Sequence, residues 1–124
     1  MREQISENEH LYRKVSHKPL FWKPEINRPS SALFKDSNGV SVDRKMDREI
    51  PEIISFMETT FGKDDIKAVV QLSVEDCSEI GVVVYKDPIE NNPYHAEIHP
   101  PDLKKPLAKK LAKACVVVYQ SDCP

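Results

Sequence analysis

Apolar residues recur along this chain with two spacings, and each predicts its own kind of element. Leu11-Tyr12-Arg13-Lys14-Val15 alternates apolar and basic residues, predicting a short strand with Leu11, Arg13 and Val15 on one face. Ile50, Ile53, Ile54, Met57 and Phe61 fall at helical spacing, with Pro51 suited to a first turn and Gly62 to a stop. Ile66 to Leu72 is a β-branched run that predicts a buried strand, and Ser73-Val74-Glu75-Asp76 opens a short helix ended by Gly81. Val82 to Tyr85 and Tyr94 to His99 predict two further strands across a loop rich in Asp-Pro and Asn-Pro steps. After Pro100-Pro101, Leu103, Leu107, Leu111 and Ala114 recur at helical spacing; whether Cys115 to Tyr119 continues that helix or starts a strand is left open by periodicity.

Two segments carry more local signals. From Ser16 to Pro29 the prolines at 19, 24 and 29 break any regular element, leaving an irregular stretch whose Leu20, Phe21, Trp22 and Ile26 pack down as a lid. Ser30 to Lys35 and Val40 to Arg44 flank Asp36-Ser37-Asn38-Gly39, and Asn-Gly suits the positive φ of a tight turn, so a β-hairpin is expected there. Together the elements predict an α+β fold: a polar tail over 1–9, then one domain over 10–124 with a mixed or antiparallel sheet and two or three helices.

Length and composition narrow this picture. A chain of 124 residues supports one core, burying roughly 65% of the surface its unfolded form exposes. A net charge of −2 gives no global attraction to nucleic acid or to an anionic membrane. No apolar run approaches a membrane span, and the polar start has no leader-like core, so no membrane role and a cytoplasmic location are expected. Cys77, Cys115 and Cys123 are odd in number and form no C-x-x-C pair, which speaks against a disulfide framework or a zinc knuckle. No phosphate-binding glycine loop, dinucleotide fingerprint or nucleophile elbow occurs, and neither cofactor nor metal is expected.

Candidate chemistry is sparse. His95, Glu97 and His99 share a strand face, an arrangement that suits a metal but is more commonly an ordinary polar face; His95, at a loop-to-strand junction, is the candidate acid–base group. Arg13, Arg28 and Arg44, with Arg48, Ser30, Ser31 and Ser41, make a basic and hydroxyl set that suits a phosphate, weighed against simple pairing with nearby aspartates. Lysines 104, 105, 109, 110 and 113 give the last helix a basic side with no interleaved aromatics, more often a solvated face than a nucleic-acid surface.

Four short segments, Leu11-Tyr12-Arg13, Arg28-Pro29-Ser30-Ser31-Ala32-Leu33-Phe34, Ser41-Val42 and Asn92-Pro93-Tyr94-His95-Ala96, resemble in order and spacing a family of small uncharacterised bacterial proteins. The resemblance implies a site assembled from Arg13, Arg28, Ser30, Ser31 and His95. The early Arg and the Ser-Ser segment, expected as a strand, also resemble ADP-ribosyltransferases, without the catalytic glutamate motif of that architecture. Two functions follow, the first expected and the second its alternative. One is a binding module, an adaptor or antitoxin-like operon partner using Phe21 and Trp22 as aromatic anchors into another protein. The other is an enzyme acting on RNA or a nucleotide, with His95 as acid–base and the arginines as anion clamps.

Overall fold

The computed structural model describes residues 3–35, 39–100 and 104–121. Its eight strands are β1 (His10–Val15), β2 (Trp22–Lys23), β3 (Arg28–Pro29), β4 (Val40–Arg44), β5 (Ala68–Ser73), β6 (Val83–Lys86), β7 (His95–His99) and β8 (Val116–Gln120). The helices are α1 (Ile50–Phe61), α2 (Val74–Ile80) and α3 (Lys105–Ala114). Six strands form one sheet in the order β6-β7-β4-β1-β5-β8, with every neighbouring pair antiparallel, and β2 and β3 form a separate small ribbon. This is an α+β fold, and the run after Cys115 is its last strand rather than a continuation of α3.

Helices and turns cover both faces of the sheet. Leu11, Val15, Val70, Leu72, Val42 and Ile98 point to the face covered by α2, α3 and the turn at Ser31–Phe34; Tyr12 and Val69, one residue out of phase, point to the face where Ile53 and Met57 of α1 pack. The period-two alternation of β1 and β5 thus places one apolar set on each side. Local chemistry sets the helix ends. The Glu52 carboxylate accepts from the Glu49 backbone N–H at 3.0 Å at the start of α1, and Ser73 Oγ accepts from Asp76 N–H at 3.0 Å at the start of α2. Gly81, left-handed at φ 103°, ends α2.

The expected hairpin over residues 30–44 does not form. β4 pairs with β1 and β7, and Ser31–Phe34 is a 3₁₀ turn rather than a strand. The physical reason is that consecutive Leu33 and Phe34 are both buried, which a turn allows and a half-buried strand does not. The turn residues Asp36 to Asn38, like Leu103 and Cys123, lie outside the described residues. The 1–9 tail is also more than a polar extension: Ile5 is buried, and its N–H donates to Val84 O at 3.1 Å while Lys86 N–H donates to Glu3 O at 2.8 Å, so the tail covers the outer edge of β6.

One irregularity positions the site. The β1–β4 ladder consists of Leu11 opposite Arg44 and Tyr12 opposite Asp43. Past that point β1 goes on pairing with β5 as far as Val15, and β4 with β7 as far as Val40, so the two central strands part. Arg13 bridges the gap, its Nη1 donating to Ser41 O at 2.6 Å and its Nε to Leu33 O at 2.9 Å.

Candidate functional site

Where the central strands part, a cavity of about 730 Å³ opens on the α1 side of the sheet. Its floor is the sheet, with Tyr12, Lys14, Ser41, Asp43 and His95; one wall is the end of α1, with Met57, Thr60 and Phe61; the other is the β6–β7 loop, with Ile89, Asn91 and Asn92. Phe21 and Leu33 close it near Arg13, with Lys18 Nζ 6.0 Å from the Phe21 ring centroid and Asp65 paired to Lys14.

The floor carries a polar row across four strands. His95 lies opposite Asp43, Asp43 opposite Tyr12, and Tyr12 opposite Gln71, so strand register alone brings residues from β7, β4, β1 and β5 into line. Tyr12 Oη donates to Gln71 Oε1 at 2.7 Å. Asp43 is almost fully buried, and its Oδ1 accepts from Asn92 Nδ2 at 2.8 Å. Asn92 is itself fixed, its Oδ1 accepting from Tyr94 N–H at 2.9 Å. Burial pushes the Asp43 carboxyl above its ordinary value, opposed by the Asn92 hydrogen bond and by the charges of Arg48 and His95. Asp43 Oδ2 has no hydrogen-bond partner, nor has Nη1 of the buried Arg48.

Arg48 is held by aromatic rings rather than by a carboxylate. Its guanidinium carbon lies 3.5 Å from the Tyr94 ring centroid and 5.4 Å from that of Phe56, and Nη2 donates to Arg44 O at 2.5 Å. Burial lowers its pKa, countered first by Asp43. The ordering of the Asn92–Tyr94 turn and the burial of Arg48 are thus one structure, packed behind Asp43.

His95 is oriented from the opposite side. Its Nδ1 lies 2.9 Å from Asp87 O and 3.2 Å from Asp87 Oδ2, and Asp87 N–H donates back to His95 O at 3.0 Å. Both partners of Nδ1 are acceptors, so Nδ1 carries the proton and Nε2 is the nitrogen left for a ligand in the cavity that His95 lines. An imidazole in this tautomer presents an unprotonated Nε2 lone pair, the group that a general base needs.

The residues singled out in the sequence separate into two groups. Arg13 and His95 line the cavity, with Phe21 at its edge. Arg28 lies elsewhere: its Nη2 donates to Ala112 O at 3.0 Å, Lys113 O at 3.3 Å and Cys115 O at 2.6 Å, closing the end of α3. Ser30 Oγ donates to Leu20 O at 2.5 Å, Ser31 begins the 3₁₀ turn, and Arg44 makes a two-point pair with Glu9 at 2.9 and 2.7 Å. The five basic and hydroxyl residues are therefore not gathered into one clamp. Trp22 is buried in the core with Lys67 over its ring at 5.3 Å, so it is no exposed anchor; Leu20 and Ile26 are the exposed apolar residues of that segment.

Tyr12, Asp43, Asp87 and Asn92 were not picked out as site residues in the sequence. The signal available was the strand period, which puts Asp43 and His95 on one face once β4 and β7 are paired. His99 lies 3.6 Å from Glu97 and edge-on to the Tyr85 ring, apart from His95, and no group of three metal-ligating side chains occurs among the described residues. No helix among the described residues is long and apolar enough to cross a membrane. No family model, no curated protein and no solved structure matches this chain.

Proposed function

We propose that this protein is an enzyme of acid–base chemistry on a small phosphate-containing ligand such as a nucleotide, with His95 as the proton-transfer group. The observation that carries this reading is the Asp87–His95 pair at the edge of a 730 Å³ cavity. In a hydrolytic or transfer step, Nε2 takes the proton of an attacking water or hydroxyl as that oxygen forms its new bond. The imidazolium then returns the proton to the leaving atom, and Asp87 stabilises the charge in between. Arg13, Lys14 and Lys18 along the same cavity supply the positive charge a phosphate needs.

The test is to incubate the protein with nucleoside mono- and diphosphates, a nicotinamide dinucleotide and short RNA, and to separate products by ion-exchange chromatography. Turnover should fall at least about 100-fold in His95→Ala and about 10-fold in Asp87→Asn, which keeps the backbone acceptor but loses the charge. Turnover equal in wild type and His95→Ala, or absent for every class, overturns the reading.

The binding-module reading is favoured by a different observation, the exposure of Leu20 and Ile26 on the loop between β1 and the 31–34 turn. A partner of this kind docks on those two side chains rather than on Trp22. Leu20→Ser with Ile26→Ser would then abolish co-purification of an operon-encoded partner while leaving any turnover intact.

A further inference from the structure

The cavity is electrically lopsided. Lys14, Lys18 and Arg13 stand toward the end where β1 leaves the sheet, with Asp65 as the carboxylate among them, and Lys14 Nζ lies 2.7 Å from Asp65 Oδ2 and 4.3 Å from the Phe61 ring centroid. The His95 end holds Asp43 and, behind the ring, Asp87, with Arg48 buried on the far side of Asp43. One end is therefore net positive and the other is not. Strand spacing sets their separation: Lys14 and His95 are two strands and two residues apart, on the order of 10 Å or more. Above the polar floor the two walls bring Met57, Phe61 and Ile89 to the cavity, with Phe61 and Ile89 both about half exposed on opposite walls.

From this layout, and resting on the reading of the cavity as a phosphate-ligand site, we infer that the phosphate is a handle held at the Lys14–Lys18 end and that His95 acts on the uncharged end of the ligand. A phosphate placed at His95 would face the carboxyl groups of Asp43 and Asp87 with no lysine beside it; placed at Lys14 and Lys18 it meets two ammonium groups against the single carboxylate of Asp65. The apolar wall groups Met57, Phe61 and Ile89 accept a flat ring or hydrocarbon segment over the polar floor, so the ligand class is a monophosphate ester whose organic part spans the cavity. A nucleoside monophosphate has these dimensions. The reaction leaves the phosphate ester intact, and the proton moved by Nε2 belongs to a group at the far end of the organic part.

The experiment is a ¹⁵N-amide NMR titration of the full chain with inorganic phosphate, AMP and adenosine in turn. Inorganic phosphate should shift amides of residues 14–18 and leave those of 87–95 in place; AMP should shift both sets and bind about 10-fold tighter than adenosine, an advantage lost in the Lys14→Met/Lys18→Met double variant and kept in His95→Ala. Shifts by phosphate centred on 87–95, or an advantage lost in His95→Ala alone, overturn the orientation while leaving the enzyme reading standing. If neither AMP nor phosphate perturbs the cavity and no nucleotide is turned over, both fall. Product analysis after turnover in H₂¹⁸O adds an independent arm: release of inorganic phosphate, labelled or not, overturns the inference, and a product that keeps an unlabelled phosphate ester supports it.

Discussion

Asp87 and His95 are joined at three points: the ring Nδ1 meets both the backbone oxygen and the carboxylate of Asp87, and the Asp87 N–H returns to the His95 carbonyl. Two acceptors at one nitrogen fix the tautomer, the less common one for a free imidazole in water. Long-range ¹H–¹⁵N NMR of the neutral ring should therefore show a protonated Nδ1 and an unprotonated Nε2. In Asp87→Ala the backbone acceptor remains and the same tautomer should persist, with the cationic form losing its carboxylate partner. An Nε2-protonated ring in the wild type would remove the geometric basis of the proposed chemistry.

Arg28 belongs to stability rather than to the cavity. Three carbonyls at the end of α3 share one guanidinium nitrogen, and a cation there also answers the negative end of the helix. Arg28→Ala should cost about 2–3 kcal/mol in urea unfolding, with ligand affinity unchanged in the protein that remains folded. Arg28→Lys should recover part of the loss.

Asp43 is costly to ionise where it sits. Its carboxyl is raised in the folded protein relative to the unfolded chain, so its contribution to stability is greatest below the ordinary value of 3.8 and is lost as pH rises through the raised folded value. Asp43→Asn removes this titration while keeping an oxygen for Asn92. The stability difference between wild type and Asp43→Asn should thus shift in favour of the variant as pH rises across that window, giving Asp43→Asn an unfolding midpoint at neutral pH at least equal to the wild type. A wild-type advantage that grows with pH would contradict this.

The two described cysteines are inert in the native state. Burial raises Cys77 to about 12 and Cys115 to about 11. At pH 8 the Cys77 thiolate is on the order of one molecule in ten thousand. Iodoacetamide at that pH should leave both unmodified in peptide mass spectra of the native protein and modify both in urea.

Gly39 is the one glycine at which a side chain would be crowded as well as strained by a positive φ. Its φ is 103°, and a Cβ there would meet Glu97 Oε2 at 3.0 Å on the neighbouring strand. Gly39→Ala should lower stability by about 1–2 kcal/mol, measured by thermal unfolding.

Much of this architecture could be read from the residues, because β1 and β7 alternate, β5 is a β-branched run and α1 keeps its apolar side at a helical period. The 31–34 turn was hidden because Leu33 and Phe34 are both buried, and two adjacent inward residues imitate a strand run. β8 was ambiguous for the opposite reason, since Val116-Val117-Val118 has no period to read. In the site, His95 stood out as a titratable ring at a loop end. Asp43 did not, because its burial depends on Asn92, forty-nine positions away, and on a β4–β7 pairing that no local pattern announces. The arginines misled for a related reason: Arg28 and Arg44 are spent on a helix end and on Glu9, partners set by tertiary packing.

The parting of β1 from β4 has one more consequence. These are the two central strands of the sheet. A molecule seated between them would touch β1, β4 and β7 as well as the end of α1 and the β6–β7 loop, joining distant parts of the chain. Bound to the folded form alone, a ligand at 100 times its dissociation constant would raise the unfolding free energy by about 2.7 kcal/mol. The melting curve of this protein would therefore also detect the ligand proposed for this cavity.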